Sequence, residues 1–167
     1  SDAYGGSVEN RARLVLQVVD AAVATLGDSR KVGIRISPMG TFGDVNDANP
    51  LETFSYLVAQ LNSRNLAYLH VNRPDWLGGS FEGYDALLRA LRDLYTGTLI
   101  IAGGQTAESG EQAVAEGLAD LVAYGRPYIA NPDLLARFQA GAELNPLDGN
   151  TLYGGGAAGY TDYPALG

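Results

Sequence analysis

Apolar positions along this chain fall into two patterns: long stretches where they recur every three or four residues, and short unbroken runs bounded by glycine. The first periodic stretch runs from Val8 to about Leu26, with Leu14, Val15, Val18, Val19, Ala22 and Val23 on one helical face. Ser7 precedes it as an N-cap, Glu9 lies in its positively polarised first turn, and Gly27 is its stop. Val32 to Ser37 is the first short run and reads as a strand. Pro38 to Ala48 reads as a loop, and Asn49-Pro50-Leu51-Glu52 then resembles a capping box with proline at the first helical position. That helix turns Phe54, Leu57, Val58 and Leu61 inward. Ala67 to Val71 is the second strand; Tyr84 to Tyr95 is a helix with Leu87, Leu88, Leu91 and Leu94 inward, followed by Gly97.

From Thr98 to Phe138 the pattern is densest. Thr98 to Ala102 is a continuous apolar run, as expected of a parallel strand buried on both faces. It stops at Gly103-Gly104, after which Thr106 N-caps a helix carrying Ala113, Val114 and Leu118. The last strand, Asp120 to Tyr124, stops at Gly125-Arg126. Asn131 and Pro132 then give N-cap and first-turn signals for a helix burying Leu134, Leu135 and Phe138. Helices and strands alternate throughout, which predicts an α/β fold with a parallel sheet and crossover helices. Only four strands are visible, and the chain opens on a helix. The tail, with Tyr153-Gly154-Gly155-Gly156 and Gly159-Tyr160-Thr161-Asp162-Tyr163-Pro164, has no period. It is expected to be an ordered loop covering something, because flexible tails seldom carry three tyrosines.

Two neighbouring strand ends thus each present glycines beside a helix start, and one adds a guanidinium. Bare N–H groups, a helix N-terminus and an arginine together suit a phosphate dianion, and (β/α)8 barrels commonly bind phosphate after strands seven and eight. Gly103-Gly104 alone reads more simply as a tight turn; the pairing with Gly125 and Arg126 favours the phosphate. Arg35, inside an apolar strand, is costly to bury unless it meets an anion or an ion-pair partner, and either reading stands. His70, the only histidine, lies near a strand end; without an evident partner it reads as structural. Trp76, the only tryptophan, falls on the loop after the second strand, as an apolar lid or as simple packing, and the ligand-facing reading is favoured.

Composition narrows the classes. With 167 residues, 46% hydrophobic and 18% charged, the chain is long enough for one folded domain and is not disordered. Its net charge of −8 disfavours nucleic acid and anionic membranes as main partners, although local N–H groups and one arginine still suit a small anion. The absence of cysteine excludes disulfides, thiolate metal sites and a cysteine nucleophile. No apolar stretch approaches 18 residues and no signal peptide is evident, so a cytoplasmic location is the expectation.

The segments YGGSVENRARL (4–14), VGIRISPMGTF (32–42), AYLHVNRPDWLGG (67–79), LIIAGGQT (99–106), LVAYGRPYIANPDLLARF (121–138) and YGGGAAGYTDYP (153–164) resemble the C-terminal half of the Old Yellow Enzyme family. These are FMN-dependent ene-reductases of the N-ethylmaleimide reductase and pentaerythritol tetranitrate reductase kind. The resemblance implies strands five to eight of a TIM (β/α)8 barrel, with residues 1–167 as one half-barrel domain. It implies FMN as cofactor and NADPH (or NADH) as hydride donor, with hydride passing from flavin N5 to the C=C bond of an enone, enal, maleimide or nitroalkene. Arg35 would meet the flavin pyrimidine edge; Gly103, Gly104, Gln105, Gly125 and Arg126 would hold the FMN phosphate. Phe42, Trp76 and Tyr153 would line the substrate cavity, and no metal is implied. The substrate-anchoring His/Asn pair and the proton donor would lie on the N-terminal half, so no catalytic residue is expected in this chain. A complementary chain bearing strands one to four is the expected partner, without which the chain should be inactive. The alternative is a non-catalytic flavin- or phosphate-binding half-barrel module that self-associates.

Overall fold

The computed structural model describes residues 2–74, 82–154 and 156–167. It divides into two compact units, Ser1–Ala123 and Tyr124–Gly167, and the two are built differently.

The first unit runs α1 (Val8–Leu26), β1 (Gly33–Ile36), α2 (Pro50–Asn62), β2 (Tyr68–Asn72), α3 (Tyr84–Leu94), β3 (Leu99–Ala102), α4 (Ala107–Ala115) and β4 (Leu121–Ala123). The four strands form one parallel sheet in sequence order, as the alternation of elements requires. Local signals set the helix ends. The Ser7 hydroxyl accepts from Asn10 N–H at 3.4 Å, and Gly27 closes α1 at φ 67° with its N–H on Val23 O. Thr106 and Ser109 form a reciprocal capping box, with bonds of 3.1 and 2.9 Å. At α2, Asn49 Oδ1 accepts from Glu52 N–H at 3.3 Å, but the box is not reciprocal. Asn49 N–H donates instead to Asp47, 2.8 Å away, and the Glu52 carboxylate takes a bond from Arg11.

Register decides which residues share a face, because partners in a parallel ladder point the same way. Ile34, Ile36, Leu69, Val71, Leu99, Ile101 and Val122 lie on one side. They join Ala12 and Val19 of α1, Leu57, Val58 and Leu61 of α2, and Leu87, Leu88 and Leu91 of α3 in a single core. Each fully buried leucine there contributes roughly 1.5–3 kcal/mol. The other side carries Gly33, Arg35, Tyr68, His70, Asn72, Ile100, Ala102, Leu121 and Ala123. No described helix of this unit covers it: Arg35 is exposed and Leu121 is 53% exposed. The expectation that 98–102 is buried on both faces is therefore corrected, since Ile100 is only half-buried.

Three helices also turn differently from the expectation. Leu14 and Val18, assigned to the inner face of α1, are 57% and 59% exposed, because α1 meets α2 along the Ala12–Val19 line. Leu94 sits at the last residue of α3 and is exposed, as is Val114 on α4. In their place α3 buries a tyrosine near each end, Tyr84 and Tyr95, both 2% exposed.

The second unit holds α5 (Arg126–Ala130), α6 (Leu134–Ala140), a one-turn 3-10 helix at Gly149–Thr151 and extended coil. Asn131 does not cap a helix, contrary to the expectation. Its buried amide donates to Pro127 O at 2.8 Å and accepts from Asn145 N–H at 2.7 Å, stapling α5 to the coil beyond α6. The helix begins instead after Asp133, whose carboxylate takes Arg137 Nε–H at 2.8 Å and Leu166 N–H at 2.6 Å. Arg137, 5% exposed, also donates to Glu143 O and Pro164 O at 2.6 and 2.9 Å. Leu134 is buried and Phe138 meets the Tyr124 ring edge-on at 5.2 Å, while Leu135 is exposed. The tail is ordered as expected: it folds back on α6, and the Tyr163 hydroxyl accepts from Asp148 N–H at 2.9 Å.

Candidate functional site

The sheet face that no described helix of the first unit covers carries the polar residues. Arg35 and His70 are register partners, and Asn72 follows at the next same-side position. Arg35 donates to Asn72 Oδ1 at 2.7 Å, which holds its guanidinium on this face at the strand ends. The arginine is not a buried charge needing compensation; the strand carries it outward, on the side away from the core. His70 stands in the middle of β2 rather than near its end, and is half-buried. Its Nε2 is sealed from solvent with no hydrogen-bond partner among the described residues. Burial first, and the Arg35 charge second, hold its pKa below the ordinary histidine value, which favours the neutral imidazole. Tyr68 lays its ring over Gly33, where any Cβ would collide with it.

At the end of β3 the chain turns sharply. Gly103 and Gly104 have φ of 97° and 61°, a region that L side chains rarely adopt. A Cβ on Gly103 would stand 2.6 Å from Arg73 O, and one on Gly104 would collide with the Arg73 guanidinium. Their backbone N–H groups meet no acceptor among the described residues. Gln105 donates to Gly103 O at 3.4 Å and accepts from Ser109, so it braces the turn. Phe42 lies exposed on a one-turn 3-10 helix (Phe42–Asp44) in the β1–α2 loop.

In the second unit Gly125 immediately precedes α5, and Arg126 and Pro127 open that helix. A short helix thus starts directly at Arg126, ahead of α6, where the sequence pattern predicts none before Asn131. Tyr153 is exposed beside the 3-10 turn. Trp76 lies outside the described residues. Asn72 and Arg73 were missed as site residues by the sequence reading. Asn72 was legible: 68, 70 and 72 alternate onto one face of a strand. Arg73 was not, because only the turn of β3 brings its guanidinium to Gly104. Among the described residues, no group of three His, Asp or Glu could hold a metal, and no helix is long and apolar enough to cross a membrane.

A parallel α/β sheet with glycine turns and guanidinium groups near its strand ends is an architecture in which phosphate groups commonly bind. The NADH:flavin oxidoreductase / NADH oxidase family matches residues 1–145, and the chain belongs to it. The Old Yellow Enzyme resemblance is thereby upheld, and FMN is the family's cofactor. Similar curated proteins include 12-oxophytodienoate reductase 2 of Arabidopsis thaliana, 44% identical over 99% of this chain and 45% of its own. 12-oxophytodienoate reductase 1 of Oryza sativa subsp. japonica is 45% identical over 99% of this chain and 44% of its own. Among solved structures, morphinone reductase superposes with a TM-score of 0.88 at 46% identity, over 99% of this chain and 44% of that one. Morphinone reductase in complex with tetrahydroNAD gives 0.86 at 44% identity. The chain spans less than half the length of the relatives it matches.

The residues present fit a flavin nucleotide. A turn closed to every side chain but glycine keeps its N–H groups bare, and an exposed guanidinium held by Asn72 stands on the uncovered face.

Proposed function

We propose that this chain is the C-terminal half, strands five to eight, of an FMN-dependent NAD(P)H ene-reductase with a (β/α)8 barrel, residues 1–167 forming one half-barrel domain. The observation that carries this reading is the match to morphinone reductase, 46% identical over 99% of this chain yet over only 44% of that one. When bound, FMN supplies hydride transfer from NAD(P)H to the C=C bond of an activated alkene such as an enone, enal, maleimide or nitroalkene.

This chain's residues bind and orient. Arg35, steadied by Asn72, places positive charge against the flavin pyrimidine edge and so favours the reduced, anionic ring. Gly103, Gly104 and Gln105, and separately Gly125 and Arg126, are assigned to the FMN phosphate, the glycines through bare N–H groups and Arg126 through its guanidinium. Phe42, Trp76 and Tyr153 are assigned to the substrate cavity. His70, favoured in its neutral form, lies beside Arg35 without adding a competing charge. Proton donation and substrate anchoring are assigned to a complementary N-terminal half bearing strands one to four. The uncovered sheet face and the open outer edges of β1 and β4 support such a partner. A cytoplasmic location accords with this chemistry.

The protein should purify with a flavin absorbance spectrum and with the complementary half, seen together by native mass spectrometry, and should oxidise NADPH in the presence of a cyclic enone. Arg126→Ala should release FMN more readily. Colourless protein that cannot be loaded with FMN would sink this reading.

A further inference from the structure

The Arg73 side chain takes a place that neither the glycine pattern nor the strand period anticipates. Arg73 is the first residue beyond β2, and its N–H donates to Ala102 O at 2.8 Å, continuing the ladder with β3 by one step. That bond ties Arg73 to the residue just before the Gly103-Gly104 turn. Its carbonyl then lies against Gly103, and its guanidinium crosses directly over Gly104, at the position a Cβ would need. Positive φ already disfavours most side chains at Gly104; the guanidinium fills the place where one would start and would have to move aside for it.

Two kinds of donor thus lie side by side in a chain of net charge −8: the N–H groups of the turn, with no acceptor among the described residues, and a planar guanidinium. Such a fork binds an oxyanion through two parallel hydrogen bonds. Tyr84, at the first turn of α3, lies within reach of the same charge. Its hydroxyl is buried and has no hydrogen-bond partner among the described residues. Burial pushes the phenol's pKa far up, and the Arg73 charge works against that rise. Arg73 Nε is itself buried, so the charge acts where solvent screens it little, a setting in which a bound anion would interact strongly with it.

We propose that Arg73 is an anion-recognising residue of this site, its guanidinium contacting the phosphate monoester of the bound flavin nucleotide beside Gly103 and Gly104. The proposal rests on the FMN-binding reading above and adds a binding residue to it.

FMN and riboflavin, which differ only in the phosphate, separate the possibilities. The assembled flavoprotein, stripped of flavin, is titrated with each by fluorescence quenching. Wild-type protein should prefer FMN. Arg73→Ala should weaken FMN binding about 10- to 100-fold, the size of a lost charged hydrogen bond, and leave riboflavin affinity unchanged. Equal FMN affinity in Arg73→Ala and wild type overturns the proposal, as does an equal loss for both flavins, which would mark Arg73 as packing. If Arg73→Ala does not fold, Arg73→Lys should retain the FMN preference and Arg73→Gln should lose it; the same preference in both overturns the assignment. Wild-type protein that does not discriminate between the flavins overturns the phosphate site as a whole, and protein that binds neither overturns the flavoprotein reading itself.

Discussion

The two units hold themselves together by opposite means. The first buries leucine, isoleucine and valine from three helices and one side of a sheet, with almost no polar group in its core. The second buries little apolar surface, Ala130 and Leu134 among its helical residues, and is organised on two polar side chains, Asn131 and Arg137. The difference is one of available secondary structure. A sheet with long crossover helices offers continuous apolar faces, so non-directional burial suffices. Two short helices and a coil offer no such face. Their many free carbonyls and N–H groups need partners, and Asn131 and Arg137 each satisfy two of them.

Truncation in the apolar unit should have the largest effect. Leu69→Ala or Leu91→Ala, each at a fully buried site, should destabilise by about 3–4 kcal/mol through lost burial and a residual cavity. Urea unfolding checks it, and a cost under 1 kcal/mol would mean the core repacks freely. In the polar unit, Arg137→Ala should cost about 2–3 kcal/mol, because Glu143 O and Pro164 O lose a charged donor. Arg137→Met, which keeps the bulk, should recover little of it; full recovery would show that packing, not hydrogen bonding, organises this unit.

A smaller effect follows from pH. The Leu166 N–H, and after it the Arg137 guanidinium, hold the Asp133 carboxyl below the ordinary carboxylate range. A depressed acid stabilises the fold fully above its unfolded value of about 3.9 and loses that contribution as pH falls through the folded value. Exchange of the Leu166 amide should therefore quicken as pH drops below about 4, after correction for intrinsic rates. Asp133→Asn should remove that step; an unchanged profile would contradict it.

Much of the fold was legible because it rests on local rules. The strand–helix alternation, the Ser7 and Thr106 caps and the Gly27 stop all involve neighbours within four residues, so the pattern carries them directly. The four-stranded parallel order followed from alternation. The failures were of another kind. Leu14, Val18 and Leu94 are apolar at helical spacing yet exposed, because the line along which a helix is covered depends on which neighbour it meets. Asn131-Pro132 carries every local mark of a helix start, but a buried bond to Asn145, 14 residues on, claims the asparagine.

By itself the sequence determined the family, the element order and the glycines at Gly103-Gly104, since motif, period and backbone freedom are properties of short stretches. Tertiary structure alone decided that Arg35 meets Asn72, that His70 Nε2 is shielded from solvent, and that Arg73 rests on Gly104. Each of these depends on strand register, which pairs residues about 30 positions apart, and no local spacing encodes it.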